Sequence, residues 1–465
     1  MSDKPAMDLS DDSRPALSPD DRLTPAVIDG INDALKDGDE DVLLRITAGL
    51  APSDMADLVE SLEPEDRSRL LSILGPRLDF DVFPELDETL RQELLGDMPA
   101  QDVALAVSAL DTDEAVEVLE DMHPAAQREV LDAVAPAERR TLEASLAWPE
   151  DSAGRLMVPE TLSAPHTWTV GDVIDHIRAA DRLPERFYDV ILLDDDRRPV
   201  ATIPLHRVLA TRRPTPLADI GQDDMKRIPV TMDQEDVAHL FRRYGLVSGP
   251  VVDEDGRLLG MITVDDIVDV IDEEANEDLM RLGGVSGSDL YRATMKTTVA
   301  RGSWLAVNLA TAIAASVVIG FFQVAIEQIV ALAVLMPIVA SMGGNAGIQT
   351  MTVVVRAIAM KQLTRANLLR ALAKEVTVGL LNGLVFAGLV GVVAIVWFGR
   401  VDIGAVIAVS MLLNLIVANL AGILIPVGLE RVGADPAAAS GVLLTTVTDV
   451  LGFLTFLGLA ALLLL

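Results

Sequence analysis

The sequence contains no cysteine, few aromatic residues and five histidines, all of which precede residue 240. The absence of cysteine excludes disulfides, zinc–thiolate sites, iron–sulfur clusters and a thiol nucleophile. Positive charge is also scarce, since 71 acidic residues oppose 37 basic ones and the net charge is −34. Nucleic-acid binding depends on cationic side chains that neutralise phosphates, so we expect no nucleic-acid partner.

The charge is distributed unevenly along the 465 residues. Residues 1–290 carry 65 acidic and 27 basic side chains, whereas residues 291–465 carry 6 and 10. Half of all residues are apolar, which is too many for an acidic disordered chain. The sequence therefore predicts an acidic water-soluble part joined near residue 290 to an apolar part. Residues 1–25 are polar and proline-rich, contain no apolar signal peptide, and predict a disordered tail.

Five long stretches of the apolar part are almost free of charge. A helix needs about 20 apolar residues to cross the hydrocarbon core of a bilayer. A buried soluble core is the alternative, and five successive stretches of this length argue against it. We therefore predict a five-helix transmembrane domain over residues 301–465. The stretches are 302–326, 328–355, 376–399, 403–429 and 437–465.

Basic residues cluster before the first stretch and between the second and third. Cytosolic loops of membrane proteins are enriched in lysine and arginine. The pattern predicts a multi-pass protein of the inner (cytoplasmic) membrane, with the acidic part and the N-terminus in the cytosol and the C-terminus outside. The residues are Arg292, Lys296, Arg301, Arg356, Lys361, Arg365, Arg370 and Lys374.

The second stretch contains several residues that are unusual in a plain membrane helix. Proline and glycine loosen a helix and can free backbone carbonyls. Irregular backbone at membrane depth is tolerated where it lines protein or a wet cavity. The alternative is close helix packing through small residues, but the amides favour a polar lumen. Candidate pathway residues are Pro337, Gly344, Asn345, Gly347 and Gln349.

Asp449 is the only charged residue in the last stretch. An ionisable group at membrane depth is costly and is by default a functional candidate. Since none of the five stretches contains a basic residue, a cation in a wet pore is its natural partner; a protonated, neutral Asp449 is the alternative. Thr445 and Thr446, with Asn414 and Asn419 in the fourth stretch, add neutral oxygens to the predicted ion pathway.

These donors are carboxylate, amide, hydroxyl and carbonyl oxygens, which suit Mg²⁺ or Ca²⁺ rather than Zn²⁺ or copper. Mg²⁺ dehydrates reluctantly, so a single carboxylate would hold it through its water shell. In a symmetric dimer, Asp449 would occur twice around one axis.

An intramembrane aspartyl protease needs two facing carboxylates, and the stretches offer one, so we expect no enzyme. A nucleotide-sensing membrane anchor without a pore is a further alternative.

The acidic part divides into two regions. Residues 26–150 contain short amphipathic units that begin after proline or aspartate, which predicts a superhelical α-helical N domain. A strand, acidic turn and strand then occur twice, between Asp189 and Pro204 and between Val247 and Asp266; Asp255 and Gly256 are a hairpin signal in the second copy. The copies resemble tandem α/β CBS domains, over 151–215 and 216–270, and this resemblance implies ATP as a ligand.

Residues 271–300 predict an acidic connecting helix that leads into the first membrane stretch. Asp269, Glu273 and Glu277 recur every four residues, so they share one helical face and repel each other. An ordinary solvated acidic face is the alternative. Because divalent cations would neutralise this face and allow close packing, we predict a cation-sensing switch.

The order of these parts over residues 40–465 resembles the MgtE family of magnesium transporters. The most specific segments are 152–157, 337–349 and 448–453. The resemblance implies a homodimeric Mg²⁺ channel in the lipid bilayer, closed when cytosolic Mg²⁺ is high, with Asp449 as the pore acid and the connecting helix as a plug. It also implies a set of metal-binding sensor acids. These are Asp102, Asp233, Glu235, Asp265, Asp266, Asp269, Glu274, Glu277 and Asp278.

The sequence departs from the family pattern at two positions. Ile348 replaces the second asparagine of Gly-Asn-x-Gly-Asn-Gln, which bears on ion selectivity. Gly245 stands where an acid often follows the tyrosine of the second CBS helix, which bears on the sensor. Within transport, the alternative function is a coupled carrier or an exporter of another divalent cation such as Co²⁺ or Mn²⁺.

Overall fold

The structure is a computed structural model that describes residues 23–180, 186–285, 291–292 and 294–465. The predicted N-terminal tail, except for residues 23–25, lies outside the described residues. The chain divides into two compact units, Met1–Asp272 and Glu273–Leu465. The predicted fold class is confirmed: a helical N domain, CBS-type α/β domains, a connecting helix and five apolar helices.

Short helices with proline or aspartate at their starts build the first part of unit one. Five of them begin with proline, which suits the first turn because the amide there has no helical acceptor. One apolar core joins all of them, with Leu35, Leu58, Leu70 and Phe83 almost fully buried. The helices are α1 Pro25–Asp37, α2 Glu40–Thr47, α3 Pro52–Ser61, α4 Pro64–Leu74, α5 Val82–Glu85, α6 Glu88–Asp97, α7 Ala100–Val107, α8 Thr112–Glu120, α9 Pro124–Ala133 and α10 Pro136–Leu146.

Two three-stranded sheets with the same topology follow. In each, the first strand pairs in parallel with the second, which pairs antiparallel with the third. Each sheet has its own core, and Ile191, Leu258 and Met261 pack between the copies. The elements are α11 Ala153–Leu156, β1 Ser163–Pro165, α12 Val170–Ala179, β2 Asp189–Leu193, β3 Pro199–Pro204, α13 Leu205–Ala210, β4 Ile228–Pro229, α14 Gln234–Tyr244, β5 Ser248–Val252 and β6 Leu258–Thr263.

The connecting helix, α15, runs from Val264 to Leu282 and starts directly after β6. It therefore begins earlier and ends earlier than the predicted segment 271–300. It ends where Gly283 and Gly284 follow, and Gly284 has a φ of +70°, a conformation that glycine adopts without strain. Residues 286–290 and 293 of the predicted segment lie outside the described residues.

Five helices in the described part of unit two are long and apolar enough to cross a membrane. α20 contacts α18, α19 and α21. Half of the residues in the most apolar stretch of α20 are buried, whereas only 6% are buried in the corresponding stretch of α16. Small residues let α19 and α20 approach closely, as where Gly391 faces the carbonyl of Gly404. The helices are α16 Thr294–Gly320, the short α17 Gln323–Gln328, α18 Ala331–Ala359, α19 Leu368–Phe398, α20 Val401–Arg431 and α21 Pro436–Leu463.

Candidate ion pathway and cation-sensing interface

Asp449 lies near the midpoint of α21 and is half-buried. In the described part of the chain, no residue pairs with its carboxylate or donates a hydrogen bond to it. Thr445 and Thr446 donate their hydroxyls to helix carbonyls one turn earlier, at Gly441 and Val442. A half-buried carboxylate without a protein partner requires water or a cation to remain ionised at this depth.

Contacts around Asn414 place the two predicted pathway segments side by side. Its side-chain amide donates to the carbonyl of Val339 in α18, at 2.8 Å. A Cβ atom on Gly343 would overlap Asn414 Nδ2, and one on Gly452 would lie 3.1 Å from that atom. Gly343 in α18 and Gly452 in α21 therefore meet at one level of the bundle. Since Gly452 follows Asp449 by three residues, this level lies less than one helical turn from that carboxylate.

The two asparagines of α20 lie inside the helix bundle. Asn414 is 1% exposed and Asn419 is 4% exposed. Asn419 donates to the backbone carbonyl of Glu375 in α19, at 3.1 Å, while Thr350 in α18 donates its hydroxyl to the Glu375 carboxylate, at 3.0 Å. The observed contacts of both amides fix neighbouring helices. Their participation in an ion pathway stays a prediction.

α18 continues without a break through the glycine-rich segment, and Pro337 lies within it. Gly343 and Gly347 are buried against α20 and α21. Asn345 and Gln349 lie on the opposite, exposed side of the helix. Exposed amides at membrane depth are unfavourable against lipid. This side of α18 therefore suits a polar lumen or a contact with another chain.

Unit one contains an acidic cavity of about 570 Å³ between the N domain and the CBS copies. Eight carboxylates line it, and Arg186 is the basic residue among its lining residues. Arg186 donates to Asp265, with a distance of 2.8 Å between Nη1 and Oδ2. The acidic lining residues are Asp81, Asp111, Asp113, Glu114, Glu138, Glu160, Asp265 and Asp266.

The cavity raises the pKa values of two carboxylates of α8. Burial, and next the charge of Asp266, raises the pKa of Asp113 well above its ordinary value. Burial raises the pKa of Glu114 to about 7. Glu114 also closes a capping box, because its carboxylate accepts from the Asp111 amide. At neutral pH the cavity therefore contains carboxylates that are costly to ionise together.

The start of α15 supplies the opposing acids. Asp266 caps this helix by accepting from the amide and hydroxyl of Thr263, and burial raises its pKa. Burial and the charge of Glu85, in α5, raise the pKa of Asp269. For Asp265, burial acts in the same direction, but hydrogen bonds from Thr263 and Arg186 outweigh it and lower the pKa. Asp266 and Asp269 thus lie close enough to N-domain acids for charge repulsion to act between them.

The donors at this interface fit Mg²⁺. Asp113 Oδ1 and Asp265 Oδ1 are buried and have no hydrogen-bond partner in the described part of the chain. Mg²⁺ is usually held by one or two carboxylates while it retains several waters. Among the described residues, no three of the types His, Asp and Glu are close enough to form a preformed metal cage. The arrangement therefore suits a hydrated ion held among carboxylates that line one cavity.

The remaining predicted sensor acids are dispersed. Asp102 is exposed in the first turn of α7, outside the cavity. Asp233 is the N-cap of α14 and accepts from the amide of Glu235, so its observed role is structural. Glu274 lies in the second half of α15. Asp113 and Glu114 were not among the residues predicted from the sequence, although their position beside a helix start was visible.

A second acidic group lies at the end of α15, within unit two. Arg281 pairs with Glu277 and donates to Asp435, with a distance of 2.7 Å between Nη1 and Oδ2. Asp435 also caps α21, the helix that carries Asp449. Burial, and then the charge of Asp435, raises the pKa of Asp278. The connecting helix is therefore joined by charged groups to the start of α21.

The raised pKa values predict a pH-dependent interface. The protonated forms of Asp113, Glu114 and Asp266 are favoured in the packed interface, so their contribution is full below about pH 4 and is lost as pH rises toward 7. In full-length protein in detergent with EDTA, we expect the opening free energy of α8 to be lower at pH 8 than at pH 5 by about 2 kcal/mol. Hydrogen exchange, corrected for the intrinsic rate, measures this.

The control segment for this experiment is α3, which lies outside the cavity. We expect its opening free energy to change much less over the same pH range. Added Mg²⁺ should restore the protection of α8 at pH 8, because the ion compensates the ionised carboxylates. Equal protection of α8 at both pH values in EDTA would contradict the interpretation.

Comparisons with known proteins agree with this division of the chain. Three family descriptions match: MgtE intracellular N domain over residues 50–151, CBS domain over 217–273, and MgtE divalent cation transporter over 336–459. The chain is 32% identical over 440 residues to the magnesium transporter MgtE of Thermus thermophilus, covering 93% of this chain and 98% of that protein. It is 29% identical over 428 residues to the magnesium transporter MgtE of Bacillus subtilis, covering 92% and 95%.

A solved structure is also similar to part of this chain. It is described as the cytosolic domain of the Mg²⁺ channel MgtE in complex with ATP, is 29% identical, and covers 52% of this chain and 99% of its own. The TM-score is 0.49.

Proposed function

The chain belongs to the MgtE family of divalent cation transporters, and from this premise we propose that it is a Mg²⁺-selective channel of the cytoplasmic membrane, closed by cytosolic Mg²⁺. The observation that carries this proposal is Asp449, a half-buried carboxylate near the middle of an apolar helix without a partner in the described residues. A transported cation provides the compensating charge.

The donor set favours passage of a hydrated ion. One carboxylate per chain, with threonine hydroxyls and amides, offers hard oxygen ligands but too few of them to replace the water shell of Mg²⁺. Asp449 would therefore attract the ion through its bound water. This keeps binding weak enough for the ion to leave, which conduction requires.

A homodimer is part of the proposal. The exposed amides of Asn345 and Gln349 on α18 suit a lumen formed with a second copy better than they suit lipid. α16 is also almost fully exposed within one chain, since only 6% of the residues in its most apolar stretch are buried. In a two-fold symmetric dimer, both α18 helices and both Asp449 carboxylates would surround one axis. The N-terminus is proposed to be cytosolic and the C-terminus outside.

Gating follows from the acidic interface of unit one and from α15. Without Mg²⁺, the acids of α8 and of the start of α15 repel one another. Bound Mg²⁺ compensates them and favours the packed interface, and it shifts the equilibrium only by its differential affinity for the two states. α15 continues from these acids to Leu282, which packs against the ends of α18, α20 and α21. A change at the interface is thus carried to the helix that bears Asp449. ATP at the CBS copies is a further proposed ligand.

Ion flux through the full-length protein in proteoliposomes tests the function. We expect Mg²⁺ uptake that needs no Na⁺ or H⁺ gradient. We also expect uptake to fall as the Mg²⁺ concentration rises on the side of the membrane that the acidic domains face. Uptake that depends on either gradient would favour the coupled carrier, and preferred movement of Co²⁺ or Mn²⁺ would favour transport of another divalent cation. Mg²⁺ flux that does not change with the Mg²⁺ concentration on the cytosolic side would contradict the proposed gating, but not the proposed channel.

A further inference from the structure

Between Ser341 and Thr352, the exposed residues of α18 are polar with one exception. Successive helix residues are rotated by about 100°, so Ser341, Asn345, Gln349 and Thr352 fall within a sector of about 80°. Ile348 lies at the edge of this sector and is 42% exposed. All four polar side chains are also exposed. We call these five residues the polar face of α18.

The exposed residues of α19 show how a lipid-facing surface differs. From Leu384 to Val396, they are apolar or glycine, as hydrocarbon contact requires. On α18, by contrast, Gln349 directly follows Ile348, and Asn345 lies one turn before it. A side chain with these neighbours faces the same surroundings as the amides. Ile348 therefore belongs to the lumen side of α18 and not to its lipid boundary.

We infer that Ile348 forms an apolar constriction in the ion pathway, a hydrophobic gate between the polar residues of α18. The inference rests on the proposed function, because it requires that the polar face of α18 lines the pathway. A narrow apolar segment loses water easily and blocks ions by dewetting. Mg²⁺ keeps its water shell, so such a segment opposes its passage strongly. In a symmetric dimer, the two Ile348 side chains would meet at one depth.

Substitutions at Ile348 should change flux in opposite directions. Ile348→Asn makes the constriction wettable, and we expect Mg²⁺ flux into proteoliposomes at low cytosolic-side Mg²⁺ to rise about tenfold, the effect of a barrier lowered by about 1.4 kcal/mol. Ile348→Phe keeps the apolar character, adds bulk and should reduce flux to the background of empty liposomes. Ile348→Val should stay within about twofold of the unmodified protein, since apolar character and branching are retained.

The matched control is Val353→Asn. Val353 lies on the same helix, is 61% exposed and is rotated away from Ile348 by about 140°. We expect it to leave flux unchanged. If Ile348→Asn lowers the yield of folded protein, Ile348→Thr replaces it and should raise flux in the same direction. Equal flux in Ile348→Asn and Val353→Asn, or unchanged flux in Ile348→Phe, would overturn the gate.

The failure of the gate is distinguishable from failure of the proposed function. Asp449-dependent Mg²⁺ flux that is indifferent to every Ile348 variant would leave the channel intact and remove the constriction. Absence of Mg²⁺ flux that depends on Asp449 would remove the channel itself, and with it the premise of the gate.

Discussion

Asp449→Asn is expected to reduce Mg²⁺ flux about a hundredfold while the protein remains folded. The side chain keeps its size and hydrogen-bonding groups but loses its charge. At a water-mediated separation of about 5.5 Å and an effective dielectric constant of about 20, the lost attraction to a charge is about 3 kcal/mol or more, and a barrier higher by that amount slows a rate by roughly two orders of magnitude. Flux into proteoliposomes measures the loss.

Asp402→Asn is the matched control, because it makes the same chemical change at another acid of unit two. Asp402 lies at the start of α20, where it pairs with Arg400. We expect its flux to stay within about twofold of the unmodified protein. Asp449→Glu keeps the charge and should retain part of the flux. If Asp449→Asn transports Mg²⁺ normally, the chain is a membrane anchor without an Asp449-dependent pore.

Local sequence patterns predicted the membrane elements well, because length and lack of charge are properties of single segments. The first stretch shows the limit. The sequence predicts one helix over 302–326, but α16 ends at Gly320 and α17 begins at Gln323. The sequence at this point, a glycine followed by two phenylalanines, does not predict a break in the helix. Packing of Phe322 and Ala325 into the apolar core of unit two accompanies it.

The first CBS copy lacks the Asp-Gly hairpin signal of the second copy, although the two copies turn in the same way. Both copies place a turn residue at positive φ between their last two strands. In the second copy it is Gly256, with φ of +79°, and in the first it is Arg197, with φ of +63°. Glycine is the residue expected at such a position. Because the first copy has an arginine there, its turn is hard to recognise from the sequence. The strand pairing is nevertheless the same in both copies.

Functional residues that depend on distant contacts were less predictable. The polarity of Asn414 suggested a pore oxygen, but its contacts with Val339, Gly343 and Gly452 come from two other helices. Asp113 and Glu114 look like residues of a capping box from the sequence alone. Their proximity to Asp266 arises only when α8 and α15 pack together in unit one.

That proximity gives the second large prediction. The double variant Asp113→Asn, Glu114→Gln removes two ionisable carboxylates from the interface while it preserves the size of both side chains, and the glutamine can still accept from the Asp111 amide. Without Mg²⁺ the interface of the double variant repels less, so its packed state is populated before any ion binds. We expect flux at zero cytosolic-side Mg²⁺ to fall about tenfold, since a shift of about 1.4 kcal/mol changes a population ratio by that factor. The remaining flux should depend only weakly on Mg²⁺.

The matched control, Asp57→Asn with Glu63→Gln, removes the same charge from exposed positions outside the cavity. It separates the local effect from the change in net charge, and we expect its Mg²⁺ response to equal that of the unmodified protein. Loss of Mg²⁺ ligands alone would leave the double variant open at zero Mg²⁺ and require more Mg²⁺ for closure. Repulsion between facing acids instead predicts that it is already closed, because the energy that Mg²⁺ normally compensates is absent from the interface.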